Sequence, residues 1–198
     1  KVAIMPFYIS SSVHNKVSDV LTNQITSNII KSAKFAVLDR TYVDNLSQEL
    51  GLIDSDQVPL EQKVKLGQKL GADYLVVGVI HEADGKTEVS RNSSTGESSS
   101  SSSASFVVDY RVIVVGTAQI TISDTVMQEV DFSSIKGSSE VVIRKLLQPI
   151  ALEISNAFIA SKYPNAVVKP AATTKAEKPV DNKDWKKSDL KQDGGGVK

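Results

Sequence analysis

The stretch that most restricts the fold of this chain is Leu66 to Ile80, LGQKLGADYLVVGVI. Its first residues read as the end of a helix. Gly71 suits the left-handed position that closes one, and Ala72-Asp73 gives a short turn into the strand Tyr74-Leu75-Val76-Val77-Gly78-Val79-Ile80. That strand is apolar on both of its alternating faces. It has no polar side to offer water and therefore belongs in the middle of a sheet covered on both faces.

The residues before it supply the covering layers. Val2 to Tyr8 reads as a first strand, with Pro6 marking where its pairing ends or an edge. Val17, Val20, Leu21, Ile25 and Ile29 have the spacing of one helix face. Phe35-Ala36-Val37-Leu38 reads as a short buried strand closed by Asp39-Arg40-Thr41, followed by a helix from about Tyr42 to Leu50 that stops at Gly51. Pro59 stands at the first turn of the next helix, which runs to Leu70. Strands alternating with helices give an α/β (α+β) class, with parallel neighbours joined by right-handed crossovers.

The pattern then changes to period two. The even positions from Phe106 to Ile122 are mainly apolar (Phe106, Val108, Tyr110, Val112, Val114, Ile120, Ile122), and the odd ones include Asp109, Arg111, Thr117, Gln119 and Thr121. Such alternation predicts a strand with one dry and one wet face. Unbroken, it would reach roughly 55 Å, so a bend at Gly116 or a projection beyond the core is expected. Ser123-Asp124-Thr125 reads as the turn and Val126 to Phe132 as the antiparallel return. The last helix carries Ile143, Leu146, Leu147, Ile150, Ile154, Ala157 and Phe158 on one face, with Pro149 expected to kink or split it. The predicted architecture is a three-layer sandwich: a central mixed sheet, helices on both faces and a long antiparallel hairpin.

Two segments stand outside that core. Residues 82–105 are dominated by serine, unbroken from Ser98 to Ser103, and read as a flexible insertion, either a hairpin tip or a disordered loop. From residue 164 to 198 the composition is that of a disordered tail, which leaves a domain over 1–163. Net charge is zero, so no bulk attraction to nucleic acid or to an anionic membrane is implied. No cysteine is present, which removes disulfides and thiol chemistry. No apolar run approaches the roughly 20 residues of a membrane-spanning helix. The chain opens at Lys1 directly into a strand-like run and is taken as processed or trimmed.

Candidate site residues are sparse. His14 and His81 are two histidines where a metal site wants three or four ligands, and local hydrogen bonding accounts for both. Asp39-Arg40 follows a strand at its carboxyl end, where α/β folds tend to bind ligands. The structural alternative is that Asp39 caps the next helix and Arg40 ties a loop. Ser10-Ser11-Ser12 lacks the lysine of a phosphate loop, and Gly67 and Gly71 sit in a helix with Gln68 and Lys69, not in a membrane span. Nothing assembles nucleophile, base and oxyanion donor. The sequence therefore names no catalytic, cofactor-binding or metal residue, no cofactor and no enzyme activity.

In order, VAIMPF, KFAVLDR, LGQKLGADYLVVGVI, a long alternating strand and a short turn resemble the CsgG family of curli-assembly lipoproteins. The same core is similar to the LpoB-like activators of penicillin-binding proteins and, more distantly, to the amino-terminal domain of TolB. The resemblance covers about Val2 to Phe158, most sharply Phe35 to Arg40 and Leu70 to Gly78. It implies a periplasmic, outer-membrane-associated protein without cofactor. Its expected partners are copies of itself or envelope proteins, with membrane attachment through a lipid anchor absent from this chain, and no nucleic acid. Pore-forming relatives insert two hairpins in this core. Here the first would fall at 82–105, which lacks the apolar outward face and aromatic girdles of a barrel strand, and only Ser133 to Gly137 stands where the second would be. The expected function is a non-enzymatic envelope protein in assembly or transport, without a pore of its own. The alternatives are an LpoB-like activator of a peptidoglycan synthase and an α/β nucleotide binder using Asp39 and Arg40.

Overall fold

The computed structural model describes residues 1–9, 15–51, 58–91, 93–94, 96–131, 138–166 and 168–169. In chain order these form β1 (Val2–Ile4), β2 (Tyr8–Ile9), α1 (Asn15–Lys31), α2 (Arg40–Glu49), α3 (Leu60–Leu70), β3 (Tyr74–Arg91), β4 (Ser98–Val114), β5 (Gln119–Asp131) and α4 (Ser139–Lys162). Helix α3 ends as its sequence requires. Gly71 takes φ 64°, its N–H reaches the Gln68 carbonyl, and the Ala72 N–H reaches that of Gly67.

The strands make one five-stranded mixed sheet of order β1-β3-β4-β5. β1 and β2 both lie parallel to β3, at Val2↔Tyr74 and Tyr8↔Val79 respectively, and the β3–β4 and β4–β5 pairs are antiparallel. The break between β1 and β2 falls around Pro6, which has no N–H to donate. β3 is thus interior, and its two faces feed two cores. Val76 and Ile80 join Val2, Phe7, Tyr110 and Val112 under α1 and α4, while Leu75 and Val77 join Ala3, Met5, Ile113 and Val115 under α2 and α3. This is the expected sandwich with helices on both faces.

Four expectations are corrected. The strand read at Phe35–Leu38 shrinks to one parallel bridge, Val2↔Val37, because β1 offers a partner for only three residues. The chain reverses at Gly116 to Ala118 rather than at Ser123-Asp124-Thr125, which lie inside β5. Even residues oppose even residues only as far as Val112↔Ile122; a bulge between Val112 and Ile113 then shifts the pairing to Ile113↔Ile120 beside the turn, so the period-two pattern of the sequence does not mark where the chain reverses. Of the hairpin tip or disordered loop expected over 82–105, the chain forms a hairpin and not a disordered loop: the β3–β4 ladder continues to Arg91↔Ser98, and Ser98–Ser103 belongs to β4. The register set by the buried core propagates outward, and backbone hydrogen bonds, which serine makes as well as any residue, carry it. Finally, of the kink or split expected at Pro149 the split does not occur, since α4 runs unbroken through it. The carbonyl it leaves without a donor belongs to exposed Lys145, where water can serve it. Most of the tail expected from 164 lies outside the described residues, as do His14, Ser10–Ser12 and Ser133–Gly137.

Candidate functional site

Two places bring polar side chains together. The first surrounds Arg40. Asp39, in extended conformation before α2, accepts the Tyr42 N–H at 3.1 Å and is the helix cap. Arg40 turns away from it and joins α2 to α1. Its Nε meets Asp44 at 3.3 Å, one terminal nitrogen meets Asn23 at 2.9 Å and the Asp19 carbonyl at 3.4 Å, and the other meets the Asp19 carboxylate at 2.5 Å. Each guanidinium nitrogen is engaged, with four of the five N–H donors directed at protein acceptors, so little of the group is left for a phosphate. The strand-end position that looked like a ligand site is a clasp between helices.

Asp19 and Asn23 also line a groove of about 310 Å³ between α1 and α4, together with Lys16, Val20, Gln24, Ser27, Glu140, Ile143 and Arg144. The two helices share the core beneath it, where Phe35 packs at a tilt on Phe158 and meets Tyr163 edge to face. Neither the groove nor its lining was singled out from sequence. Its residues are mainly polar positions on two helices 120 residues apart, as Gln24 and Arg144 are, and nothing local marks them as neighbours.

The second place is the uncovered part of the sheet beside α3. His81 is an extra residue in β3: Ile80 opposes Val108 but Glu82 opposes Val107. The bulge exchanges the faces of all later β3 residues. His81 Nε2 lies 2.9 Å from one Asp109 oxygen, and the Thr125 hydroxyl donates to the other at 2.6 Å. A polar row thus crosses β3, β4 and β5. The Thr125 hydroxyl, then His81 and Arg111, hold the Asp109 carboxyl below the usual carboxylate range against the opposing effect of burial. On the other face of β4, burial pushes Tyr110 up to about 12, with Asp124 and Glu153 adding to it.

A cavity of about 60 Å³ adjoins this row, lined by His81, Asp109, Arg111 and nine-tenths-buried Lys63. That is the room of about two waters, too little for a nucleotide or flavin. The row has a carboxylate, an imidazole and a hydroxyl, but Thr125 and His81 sit on opposite oxygens of Asp109, so the imidazole is not placed to activate the hydroxyl. Among the described residues, no group of three histidine, aspartate or glutamate side chains could hold a metal ion. No described helix is long and apolar enough to cross a membrane.

Beyond Ile80 the sheet narrows to an arm of β3, β4 and β5 as far as Ser103↔Asp131, and from Thr87↔Ser102 onward to the β3–β4 hairpin alone; in it β3 and β5 pair only with β4 among the described residues. Its outer edges carry backbone donors and acceptors without a strand neighbour. Lys86, Glu88, Glu129 and Asp131 are exposed along it, as are Val89 and Met127.

The family model described as curli production assembly/transport component CsgG matches residues 3–181. Among solved structures, hypothetical protein CT253 from Chlamydia trachomatis aligns with TM-score 0.55 at 13% identity, covering 80% of this chain and 95% of that one. Lipoprotein GNA1162 from Neisseria meningitidis aligns with TM-score 0.49 at 16% identity, over 78% and 97% of the two chains. For the C-terminal domain of LpoB from Escherichia coli the TM-score is 0.40 at 14% identity, over 64% and 81%. No curated protein matches the sequence. At 13% identity the first alignment shows a shared fold and assigns no residue a role.

Proposed function

Since the chain belongs to the CsgG family, we propose that it is a non-enzymatic component of the bacterial cell envelope, acting through its surfaces in assembly or transport at the outer membrane. A cell-envelope protein of the CsgG type is the coarse reading that the family match supports. The finer reading, self-association without a pore of its own, rests on one observation: a three-stranded arm with two outer edges unpaired among the described residues. Unpaired edges are templates for a further strand, from a second copy or from a partner.

The arm's composition supports contact with protein rather than lipid. Residues 85–91 are exposed and include Lys86, Thr87, Glu88, Ser90 and Arg91, while Ser101 to Ser103 stand opposite in β4. A barrel strand needs an apolar band facing outward, and a lysine or arginine facing lipid at the bilayer midplane costs about 2–4 kcal/mol. Light scattering across a concentration series tests the reading. The mass is expected to rise with concentration; a strict monomer that also stays off envelope fractions would refute it.

A further inference from the structure

The groove between α1 and α4 offers a use beyond self-association. Lys16, Val20, Gln24 and Ser27 follow one another at helical spacings of four, four and three, and so form a single stripe along α1. Glu140, Ile143 and Arg144 make the opposite bank. The volume of about 310 Å³ lies at the lower end for small-ligand sites. At its head the Gln24 Nε2 donates to the Arg144 carbonyl at 2.6 Å. This fixes the amide, since the flipped form would set oxygen against oxygen. The Gln24 Oε1 is then buried without a hydrogen-bond partner among the described residues. Such an acceptor is costly to leave unmade, and it favours any occupant that brings a donor.

Most charges of the lining are already engaged: Asp19 with Arg40, and Glu140 with Arg144 at 3.0 Å. Lys16 differs, being exposed with no ion pair among the described residues. It stands eight residues from Gln24, about 12 Å along the helix axis. Extended chain covers that distance in about four residues. Between the two lie the half-buried apolar side chains of Val20 and Ile143.

We propose that this groove binds an extended peptide segment of a partner, with a backbone N–H donated to Gln24 Oε1 and a carboxylate set against Lys16 about four residues away. A peptide fits because it presents N–H donors, small apolar side chains and an acid at this repeat. A nucleotide would need more cations than one uncommitted lysine. The blocked peptide Ac-Asp-Ala-Val-Ala-Asp-NH2, acidic at both ends, probes the site in either direction when titrated into the isotopically labelled full chain. Saturable shifts are expected at Val20, Gln24 and Ile143. Lys16→Glu, at an exposed position, should weaken binding roughly two- to five-fold, and Gln24→Leu roughly two- to twelve-fold. The proposal is overturned by an absence of saturable shifts at millimolar peptide, or by equal affinity for the peptide with lysine in place of both acids. Wild-type affinity in folded Lys16→Glu overturns it as well, and that variant alone decides if Gln24→Leu does not fold. The titration reads the groove whatever the oligomeric state, so its outcome is independent of self-association.

Discussion

Gly78 has no room for a methyl group. A Cβ built there would lie 2.2 Å from the Phe7 ring and 2.7 Å from the Asp109 carbonyl oxygen. Phe7 is fully buried against the sheet, and the Asp109 oxygen belongs to the backbone of β4, so neither can give way cheaply. Gly78→Ala is therefore expected to cost about 1–3 kcal/mol, the usual range for overpacking. Urea denaturation measures it; an unchanged midpoint would mean that the ring is not seated over Gly78. Gly67 and Gly71 have unrelated reasons. Gly67 lets α3 approach Val115 and Gly71 supplies a left-handed cap, so their four-residue spacing carries no message about membranes. From sequence, Gly78 was visible only as one residue in an apolar strand, since its necessity depends on Phe7, seventy-one positions earlier.

Whole elements were legible where the information is local. The stop at Gly71, the strand after it, the face of α1 and the Asp39 cap all follow from residues within one or two turns of each other. The turn at Gly116 to Ala118 and the bulge at His81 depend on what stands across the ladder, which periodicity in one strand does not record. Arg40 shows the same division. Its neighbour's capping role was readable, but its partners Asp19 and Asn23 lie a helix away. Arg40→Ala should lower stability by about 1 kcal/mol, less than a buried charged network would, because Asp19 is more than half exposed. Arg40→Lys should recover only part of it, since a point ammonium cannot span Asp44, Asn23 and Asp19 as the guanidinium does. Chemical denaturation of both variants checks the ranking. A nucleotide that raised the melting temperature of the native chain but not of Arg40→Ala would reverse this account and restore a binding role.

At the scale of the molecule, one sheet serves two purposes. Between its helical layers it is a conventional buried core; past the Gly85↔Ala104 pair the same strands run on as a polar arm with uncovered edges. The sequence showed the first part because burial imposes a hydrophobic pattern. It hid the second because serine has no strong preference, and strand formation there follows from register inherited from the core. This division makes the arm separable. Asp84 opposes Ser105 in the ladder, so residues 85–104 can be replaced by a two-residue Asn-Gly turn without disturbing the pairing on the core side. The loss includes buried Ala104, a member of the larger core cluster, and its pairing with Val130, so a modest fall in stability is expected, on the order of 1 kcal/mol. The shortened chain should still unfold cooperatively, while its self-association should weaken at least roughly ten-fold in midpoint concentration, since a tenfold change corresponds to only about 1.4 kcal/mol of lost edge pairing. Sedimentation velocity on both chains at matched concentrations measures this. If the shortened chain associates as well as the full one, the contact does not use residues 85–104, and the β3 edge past Asp84 has no part in assembly.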